Sequence, residues 1–258
     1  MRVKLAILII SCLALCCCRS VAAPRAFSEY VLEAVRAMPA GGGYAADRVA
    51  EQRLAAGGIV WDGRQLRVSP RGAAPTFCSA ACYMALLQAL RSWEGAQGSS
   101  VFSPRVWESM RVDETHPDGY LSWGRANANG PGFAKWVSDL GAGVNFTAVA
   151  KARPGDFLKF FRTDEIGVAE RGHMVIFLGL EQRGGSTYIR YWSANKGQGY
   201  GERSVPLSSL RYLIFTRITQ PAAFARAPQL PPMDPWLHSM LTHPHRFEQV
   251  KIQCRISE

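Results

Sequence analysis

Two residues carry the types needed for nucleophilic acyl chemistry. Cys78 opens the stretch CSAACYMALLQAL, and His173 opens the run HMVIFLGL directly after Gly172. A thiol in the first turn of a helix faces unpaired backbone N–H groups and the positive end of the helix dipole, and both stabilise thiolate. A histidine at the mouth of a strand can reach a cysteine on an adjacent helix and take its proton. A third group would fix the imidazole tautomer. Along Thr187–Asn195, two-residue alternation puts Tyr191, Ser193 and Asn195 on one face, so Asn195 or Ser193 could serve. Each residue also has a plain reading: a helix cysteine is often a small apolar core residue, and a strand-end histidine often a surface one. The pair is more informative than either member.

The elements that would position these residues follow from periodicity. Phe27–Met38 has helical spacing of Tyr30, Val31, Ala34 and Val35 and is stopped by Gly41–Gly43; a second helical stretch runs from Tyr44 to Ala56. Short strands at Ile59–Trp61 and Gln65–Val68 flank Asp62–Gly63. Pro75–Leu90, rich in Ala, Leu and Met, reads as a helix, and its small residues Ser79, Ala80 and Ala81 would let it approach a sheet closely. A mixed helix-and-loop region extends to about Val149. Beyond Pro154–Gly155, four apolar or β-branched runs (Phe157–Phe161, His173–Leu180, Ser186–Ser193 and Tyr212–Ile218) are separated by glycine turns, the pattern of an antiparallel meander. Helices first and strands second is the α+β arrangement. From Thr219 the chain is rich in Pro and Ala, with a short helix expected after Asp234–Pro235.

The 258 residues are 48% apolar and 19% charged, which excludes collagen, coiled-coil and disordered chains. The apolar segment Leu5–Cys18 follows Arg2 and Lys4 and is too short for a good membrane anchor. With Ser20–Ala23 behind it, it reads as a secretory signal peptide over residues 1–22, so a periplasmic or secreted protein is expected. A lipoprotein signal ranks second, because Leu15 precedes Cys16 where a small residue is preferred. Removing the leader lowers the net charge from +10 to +7 and leaves Cys78, Cys82 and Cys254, an odd number for an exported chain. Cys82 would either pack in the core or pair with Cys254.

No spaced His or Cys set supplies a metal site, and no cofactor is expected. Basic residues are scattered, so nucleic acid is not an expected partner. The charge fits an anionic partner such as cell-wall polymer, and equally a basic protein without one. Trp107, Trp123, Phe133 and Trp136 could line a groove or fill the core.

The order of the pieces Phe77-Cys78-Ser79, Pro154-Gly155-Asp156-Phe157-Leu158 and Gly172-His173-Met174-Val175-Ile176-Phe177-Leu178-Gly179 resembles the NlpC/P60 and CHAP branches of papain-like cysteine hydrolases. Ser193-Ala194-Asn195 lies where CHAP domains carry an acidic residue and an asparagine two apart. Phe77 stands where NlpC/P60 proteins usually have Asp, and Ser193 replaces the acidic residue. The resemblance covers about residues 75–218. It implies helices packed on an antiparallel sheet, with Cys78 as nucleophile, His173 as base and Asn195 as the orienting residue. Asp156 would be a structural turn residue. The implied activity is hydrolysis of amide bonds, foremost in peptidoglycan stem peptides. Residues 23–218 would form the hydrolase domain and 219–258 an extension. The rival readings are a thiol acyltransferase or a protease on protein substrates, and an inert binding module.

Overall fold

The structure, a computed structural model, describes residues 25–128 and 130–257; the expected leader at 1–22 lies outside the described residues. In chain order the helices are α1 (Phe27–Ala37), α2 (Arg48–Arg53), α3 (Pro70–Ala73), α4 (Cys78–Ala96), α5 (Pro104–Ser109), α6 (Leu121–Asn127), α7 (Gly132–Asp139), α8 (Pro235–Ser239) and α9 (Phe247–Gln253). The strands are β1 (Gly41–Gly42), β2 (Ile59–Trp61), β3 (Leu66–Val68), β4 (Gly143–Phe146), β5 (Phe157–Phe161), β6 (His173–Arg183), β7 (Ser186–Asn195), β8 (Gly199–Pro206), β9 (Arg211–Ile218) and β10 (Ile256–Ser257). The chain is thus α+β. Its main sheet has eight strands in the order β1-β8-β7-β6-β5-β9-β4-β10, antiparallel throughout except for the parallel pair β4–β10.

α4 is the central helix, with every residue from Cys78 to Leu87 buried. Alanines at 80, 81, 85 and 89 keep its cross-section small, which allows it to lie against β6 and β7 while α1 covers it from outside. α1 contributes its Tyr30, Val31, Ala34 and Val35 face to that contact, as the helical spacing predicts. α4 starts later and runs further than the expected Pro75–Leu90. Thr76 is held extended by a parallel bridge to Tyr44, and Phe77 keeps extended backbone angles, so the helix begins at Cys78.

The expected helix over Tyr44–Ala56 is likewise shortened. The Asp47 side chain accepts the Ala50 N–H at 2.8 Å and caps a helix that starts at Arg48, before the chain widens into a π-turn over Leu54–Gly58. Tyr44 is left outside the helix. β4 and β8 were not anticipated, because GVNF and GYGERSVP lack β-branched alternation. Gly199 at the head of β8 has φ of +86°, and a Cβ there would lie 2.1 Å from the Gly41 carbonyl oxygen. Only glycine permits this approach, which pins β1 to β8 and delivers Tyr44 to the start of α4.

Three sequence expectations concern packing. Trp123, Phe133 and Trp136 are buried with Tyr83 and Phe224, and Trp107 is buried edge-on against Phe102, so the aromatic middle is core and not a groove. Cys82 and Cys254 are free thiols that belong to separate apolar clusters. The Pro-rich segment from 219 is integral to the body: Phe224, Leu237, Met240 and Val250 are fully buried, and β10 extends the sheet. The short helix after Asp234 is present, with the Asp234 carboxylate accepting the Leu237 N–H at 2.9 Å. Among the described residues, no helix is long and apolar enough to cross a membrane.

The Pro154-Gly155-Asp156 turn ties β5 to its neighbours. Asp156 accepts the Arg153 N–H at 2.7 Å and forms a two-point pair with Arg217 at 2.8 and 2.7 Å, and its side chain is fully buried. Removing one partner of a buried pair typically costs about 3–5 kcal/mol, because the other charge is left uncompensated. Asp156→Asn is therefore expected to lower unfolding stability by about that amount, read from the denaturant midpoint. A loss below about 1 kcal/mol would show that water relieves Arg217.

Candidate active site

Cys78 occupies the first position of α4. Phe77 supplies no side-chain cap, and the first intrahelical bond is made by Ala81 N–H to the Phe77 carbonyl at 3.0 Å. The N–H groups of Cys78, Ser79 and Ala80 precede it and have no partner within the helix, so they and the helix dipole face the thiol region.

His173 begins β6. Its backbone pairs with Phe160 of β5, and its ring sits between those of Phe160 and Tyr191 at centroid distances of 5.5 and 5.9 Å. Gly172, with φ of +66°, makes the turn into the strand; a Cβ there would lie 2.6 Å from the Phe161 ring. A glycine is thus required immediately before the histidine.

The three thiols behave differently. Burial raises all of them, yet the Cys78 pKa falls to about 6. A hydrogen bond from His173, the His173 and Lys159 charges and the Met174 backbone together outweigh desolvation there. The Cys82 thiol, one helical turn further on, is pushed well above its usual value by burial and by Cys78, and burial also raises Cys254. Cys78 is therefore the one of these three thiols whose pKa is lowered, the direction that favours thiolate.

Asn195 is buried at the end of β7. Its amide nitrogen donates to the carbonyls of Ser193 at 3.1 Å and Gly201 at 2.9 Å, whereas its Oδ1 is buried without a partner among the described residues. The β6–β7 ladder runs to Ile176 opposite Trp192, and His173 and Asn195 each lie three residues beyond it at the same end. Both residues line one cavity of about 470 Å³. The unsatisfied oxygen is an acceptor available to the imidazole N–H. Ser193 does not join them: its hydroxyl donates to the Met174 carbonyl at 2.7 Å, and it lines neither that cavity nor the one beside Cys78.

Several residues around Cys78 escaped sequence reasoning. Tyr44 lies beside Cys78 on the cavity wall, and burial, with the Cys78 charge after it, pushes its phenol up to about 12, so it stays a donor. Nothing in its local sequence marks it, since it arrives through backbone pairing with Thr76. Lys159 lines the Cys78 cavity, and burial lowers its pKa against the opposing pull of the two thiols. A single lysine inside the apolar strand FLKFF was a readable signal. On the far side of Cys78, Ser79 donates to Asn127 at 2.6 Å, and the Asn127 amide donates to Asp118 at 2.9 Å and Glu51 at 3.4 Å. Burial and the Asp118 charge raise the Glu51 pKa.

Two cavities meet at Tyr44 and Gly172: the His173 cavity above, and one of about 640 Å³ lined by Cys78, Ser79 and Lys159. The cleft therefore opens on both sides of the Cys78 and His173 positions. It can perform attack on a carbonyl carbon, with a backbone N–H and a phenol beside the sulfur to meet developing negative charge. Among the described residues, no three His, Cys, Asp or Glu side chains converge as a metal site. No family model matches the chain, and no curated protein and no solved structure matches it either.

Proposed function

We propose that the protein is an exported cysteine hydrolase of papain-like, NlpC/P60-type architecture that cleaves amide bonds, with peptidoglycan stem peptides as its substrate. One observation carries the reading: of three thiols, only Cys78 has its pKa lowered, and it lies in an open cleft beside His173. A structural cysteine in a packed helix has its pKa raised by burial, as Cys82 does.

In this mechanism the Cys78 thiolate attacks the amide carbonyl carbon. The carbonyl π electrons move to oxygen, and the resulting oxyanion accepts from the Cys78 N–H and the Tyr44 hydroxyl. His173, having held the thiol proton, gives it to the amide nitrogen as the C–N bond breaks, and a neutral amine departs. A water then loses a proton to His173 and attacks the thioester. Cleavage of the C–S bond releases a carboxylic acid and regenerates the thiolate. Asn195 Oδ1 accepts from the second ring nitrogen and keeps the first directed at sulfur.

The test is incubation of residues 23–258, and separately Cys78→Ala, with isolated peptidoglycan, followed by mass spectrometry of released fragments. Peptide fragments from the intact protein alone are expected, and their termini identify the bond. Silence from both would withdraw the wall substrate and turn the search to protein substrates or to an acyl acceptor other than water.

A further inference from the structure

We propose that the cavity on the His173 side receives the leaving group, and that it selects an amine product carrying a free carboxylate held by Arg162, Lys196 and Arg203. The inference rests on the cysteine-hydrolase reading and deepens it by naming the chemistry of one half of the substrate. The base that takes the Cys78 proton must return it to the departing nitrogen, so the leaving segment lies on the His173 side of the sulfur.

That side is lined by three cations and one carboxylate. The carboxylate, Glu170, is occupied by its own loop: its two oxygens accept the Gly172 N–H at 2.8 Å and the Arg162 N–H at 3.2 Å. Arg203 donates to the Lys196 carbonyl at 2.8 Å and to Gln198 at 3.4 Å, which fixes its guanidinium beside the cavity without neutralising it. None of the three cations makes an ion pair with a carboxylate of the described residues.

Elsewhere on the sheet, arginines are matched: Arg190 with Glu181 and Glu202, Arg183 with Glu181, and Arg217 with Asp156. Arg203 and Arg162 both act electrostatically on the Tyr191 hydroxyl, which places them around one ring on the cavity wall. The opposite cavity sets four carboxylates, Asp47, Glu51, Glu114 and Asp118, against the cations Arg48, Lys159 and Arg171. The charge balance of the cleft thus shifts from basic on the His173 side to mixed on the other. Uncompensated guanidiniums in a concave site raise the local concentration of anions, and their fork geometry matches a carboxylate.

The test uses two alkylating probes of nearly equal size, iodoacetate and iodoacetamide. In each case the Cys78 sulfur attacks the methylene carbon and iodide leaves, so the probes differ only in a charge placed beside the sulfur. The readout is the ratio of the two labelling rates, with iodoacetamide as the reference for thiolate reactivity in each variant. At low salt the ratio is expected to exceed that of free cysteine. It should fall about tenfold in Arg162→Gln/Lys196→Gln/Arg203→Gln and to a similar extent at high salt in the unaltered protein. Glu51→Gln, on the opposite wall, should not lower it. Rapid iodoacetamide labelling with a ratio unchanged by the triple substitution overturns this inference and leaves the hydrolase reading standing. Iodoacetamide labelling no faster than that of free cysteine overturns both.

Discussion

Alkylation of Cys78 by iodoacetamide is expected to rise through a midpoint near pH 6 and to level off above pH 7, whereas Cys82 and Cys254 stay unlabelled in the folded protein. The sign follows from the shift. A pKa lowered by a cationic partner means that the charged, reactive form persists to lower pH. Acidification through about 6 therefore protonates the sulfur and silences it. At pH 7 roughly nine-tenths of such a thiol is thiolate, against a few per cent of a free cysteine with pKa ~8.5.

His173→Ala removes the first two of the influences that oppose desolvation, leaving chiefly Lys159 and the Met174 backbone. The midpoint should then move above the free-cysteine value, and the pH 7 labelling rate should fall by at least about thirtyfold. A midpoint that stays near 6 in His173→Ala would assign the activation to Lys159 and the helix terminus, and would remove His173 from the site.

That experiment also measures how much of the site was legible in the sequence. Cys78 and His173 were readable because each opens an apolar element whose period is plain. A helix start and a strand start are also the places where a side chain emerges from a packed layer. Asn195 was readable only as one of two alternatives. Ser193 shares its strand and its polarity, and only the folded chain separates them: its hydroxyl bonds the Met174 carbonyl, whereas Asn195 lines the His173 cavity. The strands β5, β6, β7 and β9 could be read from their β-branched and aromatic runs, while β8 could not. Its glycines at 199 and 201 serve close approach to β1 and to the Gln198 side chain, a tertiary requirement that no local propensity reports.

The tail misled for a similar reason. Proline and alanine suggested decoration, but Phe224 stacks edge-on against Trp136 at 5.1 Å, a contact spanning some ninety residues of chain. The polarity of the cleft was equally hidden. Arg162 lies in the loop between β5 and β6, and Lys196 and Arg203 in the β7–β8 hairpin, so they form one patch only once those segments come together in the sheet.

Tyr44 is the residue that folding alone reveals, and its removal should separate two roles that the thiol's neighbours can play. Tyr44→Phe keeps the ring that bridges the two cavities and deletes only the hydroxyl beside Cys78. If that hydroxyl merely stabilised the resting thiolate, its loss would raise the Cys78 midpoint and slow alkylation and amide turnover alike. If it donates to the oxyanion, the bond strengthens as charge moves from sulfur to oxygen, so its contribution is larger in the transition state than in the resting enzyme. Loss of one such donor costs about 10²–10³-fold in kcat. The expected result is therefore a split: kcat on released peptide falls by about that factor with KM nearly unchanged, while iodoacetamide labelling slows by less than about fivefold. Labelling that needs no oxyanion is the internal control, because alkylation develops no negative charge on a carbonyl oxygen. Equal losses in both assays would reduce Tyr44 to a partner of the thiolate and leave the Cys78 and Ser79 N–H groups as the donors at the start of α4.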